Sequence, residues 1–125
     1  MAATKLDGAD AQKMKTLEEA LITLQTMHGM VERAAIDVKA QKSIGVIPQQ
    51  IKRLAVPLQG QLKGQFGMIA DQVAAFILAS TRGGGGDQAK IRMMREGVAQ
   101  LRQALELAAN KVKDQHSVAI EVSGD

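Results

Sequence analysis

The chain has 125 residues, a net charge of +3 and 46% hydrophobic residues, which suits one folded domain with a modest core. It has no cysteine, no Trp and no Tyr. That excludes a disulfide framework, a zinc–thiolate site and a cysteine nucleophile, and it argues against binding single strands by base stacking. With Phe66 and Phe76 as its aromatics, the core must be built from Leu, Ile, Val, Met and Ala, a mixture that suits helix packing. The opening MAATKLDGADAQK has no apolar stretch of the secretory kind. No run approaches the ~18 apolar residues a membrane span needs. A soluble, cytoplasmic protein is the expectation.

Residues 1–9 are small and polar with little periodicity and are expected to form a flexible tail. Asp10 suits an N-cap for a first helix over about 11–43. Its apolar face reads Met14, Leu17, Leu21, Leu24, His28, Val31, Ala35 and Val38, in steps of three and four, a heptad seam. Ala20, Met27 and Ala34 flank that seam and widen it into the stripe of a helix with two neighbours. Ile22, Met30 and Ile36 lie off the main face and are candidates for a further contact, with a partner or a second copy. Gly45 suits a left-handed stop and Pro48 the first turn of the next helix. Ile44, Val46 and Ile47 are expected to plug the end of the fold.

The second helix is read over about 48–82, with Ile51, Leu54, Ala55, Leu58, Leu62, Phe66, Ile69, Val73, Phe76 and Ile77 on one side. Pro57 removes a backbone hydrogen bond and clashes with the preceding turn, costing roughly 3 kcal/mol, so a kink or a break is expected there. Gly60, Gly64 and Gly67 each cost about 1 kcal/mol against Ala inside a helix. The four-glycine stretch after Arg82 reads as a connector, not a phosphate loop, because the Gly-Lys-Ser/Thr ending is missing. Asp87 reads as the N-cap of a third helix over about 87–115. Its face is Ile91, Met94, Val98, Leu101, Leu105, Ala108 and Val112. Residues 117–125 alternate Val118, Ile120 and Val122 with polar positions. That pattern resembles a strand with no pairing partner, so a flexible tail is expected.

These elements predict an all-α fold: an elongated antiparallel three-helix bundle over 10–116, completed by self-association, with a dimer preferred. No catalytic or cofactor signature is present, and no cofactor or metal is expected. Three features bear on function. His28, at a seam position, is a candidate phosphoacceptor of the histidine-phosphotransfer kind, although the lysine and small residue that usually follow such a histidine are missing. The other histidine, His116, is too far along the axis to share a metal with it. Gly60-x-x-x-Gly64, with Gly67, allows close helix approach, against a neighbouring helix or a docked partner. Lys39, Lys42, Lys52, Arg53, Lys111 and Lys113 gather, in a three-helix arrangement, at one pole, which suits nucleic acid or another anionic surface. The leading expectation is a non-enzymatic protein–protein interaction module, such as an adaptor, scaffold or regulatory subunit. A phosphotransfer bundle centred on His28 and a binder of nucleic acid or anionic surfaces are the alternatives.

Overall fold

The computed structural model describes residues 8–82 and 85–123, with side chains described as far as Gln115. All regular structure among these residues is helical. There are four helices: α1 (Gly8–Lys39), α2 (Ile47–Leu62), α3 (Gly67–Arg82) and α4 (Asp87–Ser123). The expected count of three is therefore corrected. The stretch read as one rod over 48–82 is two helices of 16 residues each.

The division does not fall at Pro57, which sits exposed inside α2. It falls at 63–66, where the glycines are dense. Lys63 N–H still bonds Gln59 C=O at 3.0 Å and Phe66 N–H bonds Leu62 C=O at 2.7 Å, while Ala70 N–H opens the new helix on Phe66 C=O at 2.9 Å. Low helix propensity around Gly60, Gly64 and Gly67 makes the interruption cheap. What stabilises it is packing. α2 and α3 lie against each other extensively, and the buried Ile51, Ala55, Leu58 and Leu62 join Ile69, Ala70, Val73, Phe76 and Ile77 in one core.

α1 packs most extensively on α4. Arg95 donates to Glu32 and Arg102 donates to Gln25. As the number rises on α1 it falls on α4, so these two helices are antiparallel. α1 also contacts α2, and α3 contacts α4. At ~1.5 Å per residue, α1 and α4 run for about 50 Å, twice the length of α2 or α3.

Periodicity anticipated most of the core. In α1, Met14, Leu17, Leu24 and Val31 are buried, as are Ala20, Met27 and Ala34 of the flanking row. Leu21, Ala35 and Val38 are only partly buried against the core. Nearly all the expected positions of the other helices are buried. Leu54, Phe66 and Ala108 are partly buried, and Ala109 takes the buried place next to Ala108.

The stop of α1 differs from the expectation. Gln41, not Gly45, holds the left-handed position that ends the helix, at φ 65°. Lys42 N–H reaches back to Asp37 C=O at 2.7 Å and Gln41 N–H to Val38 C=O at 2.9 Å, the paired bonds of a Schellman cap. Gly45, at φ 60°, provides a second left-handed residue further along the loop. Between them Ile44 plugs the end of the core, and Ile47 is half-buried, whereas Val46 stands 64% exposed. Asp87 is the first residue of α4 and not its N-cap, since the first helical bond, from Lys90 N–H at 3.1 Å, is accepted by Gly86 C=O. The Asp87 carboxylate accepts the Ile44 N–H at 3.2 Å and so fastens the α1–α2 connection to the start of α4.

At the chain ends, α1 begins at Gly8, so Asp10 lies in its first turn instead of capping it. α4 continues to Ser123, through most of the stretch read as a tail. The alternation of Val118, Ile120 and Val122 therefore does not mark a strand. Of the N-terminal tail expected over 1–9, Gly8 and Ala9 belong to α1, while residues 1–7, like 83–84 of the four-glycine connector and 124–125 of the C-terminal tail, lie outside the described residues.

Candidate functional site

His28 does not occupy the centre of the seam. It is half-buried, one turn from Glu32 on the side of α1 that faces α4, where Gln25 and Glu32 make their bonds to Arg102 and Arg95. Its positive form helps to hold the Glu32 carboxyl below its ordinary value, after the larger effect of Arg95. The buried polar side chain among the described residues is instead Ser80, whose hydroxyl donates to Ile77 C=O at 3.0 Å. That bond satisfies it within its own helix.

Gly60, Gly64 and Gly67 are all exposed, and a Cβ added at any of them would meet no atom within 4 Å. They do not mediate a close helix approach inside the chain. The glycine that does so is Gly97 on α4. A Cβ there would lie 2.3 Å from Cδ1 of Phe76 on α3. The sequence signal was slight: one glycine inside the most regular heptad of the chain.

Ile22 and Ile36 are 69% and 68% exposed, on the outer side of α1. Met30, expected beside them, is partly buried against the core and does not belong to that surface. Val46, Val56, Met68, Leu78 and Leu107 are also exposed, so large apolar side chains stand outward on every helix.

The single basic pole is corrected. Lys39 and Lys42 lie at the end of α1, with Lys52 and Arg53 early in α2. Lys111 and Lys113 lie near the far end of α4. Because the chain reverses once more than expected, the end of α4 runs beside the beginning of α1. One groove there is lined by Lys13 and Lys111 together with Phe66, Met68, Ile69 and Val112. At the other end, Lys39, Arg92 and Arg95 line a groove between α1 and α4 whose floor is Ala35, Val38 and Ile91. Arg92 and Arg95 were not among the expected basic residues, because only the α1–α4 pairing brings them to Lys39.

The ion pair seen among the described residues lies at the edge of this second groove. Arg95 Nε and Nη2 each donate to a different Glu32 oxygen at 2.8 Å, a two-pronged arrangement. The guanidinium bonded to Glu32 holds its carboxyl below the usual range, and the Arg95 guanidinium is correspondingly raised. Among the described residues no group of three His, Asp or Glu side chains is placed to hold a metal ion, and no helix is long and apolar enough to cross a membrane.

Comparison with protein-family models, with curated proteins and with solved structures finds no match.

Proposed function

We propose that this chain is a non-enzymatic helical interaction module, an adaptor or regulatory subunit that docks a protein partner on its outer surface. The observation that supports it is a contrast between inside and outside. Among the described residues the buried positions are apolar apart from Ser80, whose hydroxyl is already bonded, while Ile22, Ile36, Val56, Leu78 and Leu107 face outward. An enzyme needs several polar groups converging in a pocket. A docking protein needs apolar anchors within reach of a partner.

The test is site-specific photocrosslinking. A benzophenone side chain replaces Ile22, Ile36, Val56, Leu78 or Leu107, one at a time, in the full chain inside its native cells. The reading expects at least one position to give a discrete adduct containing a second polypeptide. Adducts of twice the chain mass identify that polypeptide as another copy, the dimer this proposal prefers. Absence of an adduct at all positions refutes the proposal. Acid-labile phosphate on the chain that disappears in His28→Gln would replace it with phosphotransfer.

A further inference from the structure

We infer that the groove between the end of α1 and the start of α4 takes an acidic amphipathic segment of a partner protein, with carboxylates meeting Lys39, Arg92 and Arg95 and an apolar side chain meeting Ala35, Val38 and Ile91.

The charge balance of the groove supports this occupant. Three cationic side chains line it, and no carboxylate does. Glu32 reaches Arg95 from the edge, which leaves Lys39 and Arg92 as uncompensated charge. Asp37, two residues before Lys39 on α1, does not line the groove. The Asp87 carboxylate accepts the Ile44 N–H, and Glu96 lines the separate groove between α3 and α4. The positive strip continues along α4 to Arg102, two turns beyond Arg95. Arg102 holds the neutral amide oxygen of Gln25, so its charge is also unmatched. From Arg92 to Arg102 the strip is roughly 15 Å long, enough to meet three carboxylates one turn apart on a partner helix.

The floor distinguishes a peptide from other polyanions. Ile91 is buried, and Ala35 and Val38 are half-buried. Together they form an apolar shelf beneath cations, which fits the two faces of an amphipathic helix. Neither Phe66 nor Phe76 lines the groove, so it has no platform on which a base can stack.

This inference rests on the interaction reading but is tested separately from it. The probe is a fluorescein-labelled peptide with Leu at helical spacing on one face and Glu on the other. Binding to the full chain is read by anisotropy at low salt. An otherwise identical peptide with Gln for Glu is the first control, and a labelled single-stranded oligonucleotide is the second. Lys39→Glu with Arg92→Glu is expected to weaken binding of the acidic peptide at least about tenfold, equivalent to ~1.4 kcal/mol. Lys52→Glu with Arg53→Glu makes the same change in net charge on α2, which does not line the groove. It is expected to alter binding less than about twofold, a shift of a few tenths of a kcal/mol. Glu32→Gln frees Arg95 and is expected to tighten binding. Circular dichroism checks that every variant remains helical.

Equal losses in the two double variants would overturn the assignment, because attraction would then be unspecific. Equal binding of the Gln peptide, or tighter binding of the oligonucleotide, would do the same. If the acidic peptide fails while photocrosslinking still traps a partner, only the groove assignment falls. If both fail, the interaction reading falls with it.

Discussion

Gly97→Ala is the substitution that most directly probes how α3 meets α4. An added Cβ would sit 2.3 Å from Cδ1, 2.8 Å from Cε1 and 3.5 Å from Cγ of Phe76. Ordinary carbon–carbon contact is about 3.5–4.0 Å, so the ring must retreat by roughly an ångström. Phe76 is 5% exposed and lines, with Gly97, the groove between α3 and α4, so any retreat of the ring repacks that groove. Overpacking of this kind costs about 1–3 kcal/mol. Against that, Ala is better than Gly inside a helix by about 1 kcal/mol. With two ring atoms inside 3 Å, the steric cost should dominate, leaving a net loss of up to about 2 kcal/mol. For a chain of this size, that lowers Tm by up to roughly 10 °C.

The control is Gly60→Ala in α2, where an added Cβ meets nothing within 4 Å. It should stabilise by about 0.5–1 kcal/mol, because the same propensity gain is unopposed. Urea unfolding followed by far-UV circular dichroism measures both. Phe76→Leu in the Gly97→Ala background should recover part of the loss, giving a coupling energy in the double-mutant cycle. If Gly97→Ala raises stability as Gly60→Ala does, the close approach of Phe76 to α4 is wrong.

Other expected outcomes follow from single contacts. Gln41→Gly should raise stability by about 0.5–1 kcal/mol in the same assay, because the left-handed residue of the α1 cap would no longer carry a Cβ. Asp87→Ala should cost about 1–2 kcal/mol, since it removes the charged acceptor of the part-buried Ile44 N–H. Amide exchange at Ile44 should quicken in that variant. Glu32 has its carboxyl lowered in the folded chain by Arg95, so its contribution is present above the unfolded value and lost as pH falls through the lower, folded one. Acid titration of Glu32→Gln should therefore show a shallower loss of stability in that window, while a profile unchanged from the parent would mean that the ion pair does not form in solution.

The faces of the helices were legible because burial follows helical spacing. Met14, Leu17, Leu24 and Val31, or Met94, Val98, Leu101 and Leu105, are recognisable as core from their intervals alone. The turn at 63–66 was not. Gly60, Gly64 and Gly67 lower the preference for helix, and a segment of low preference is compatible with a strained rod or with a reversal. Pro57 carries the larger and more local penalty. Yet α2 accommodates it on an exposed face, where the freed carbonyl can reach water. The candidate groove was hidden for a related reason. Lys39 is more than fifty positions from Arg92, and nothing local to either residue announces the other.

Composition and periodicity by themselves determined that the chain is helical, that its interior is aliphatic, and which side of each helix turns inward. Those properties depend on backbone geometry and on the removal of apolar area from water, and both act over a few residues. Tertiary structure decided how many times the chain reverses, and hence which helix ends lie together. One extra turn sends Lys111 to the side of Lys13, and α1–α4 pairing brings Arg92 and Arg95 to Lys39. The choice depended on whether the apolar faces of α2 and α3 bury more area against each other than along a single rod. That is a property of distant surfaces meeting, which no local pattern carries.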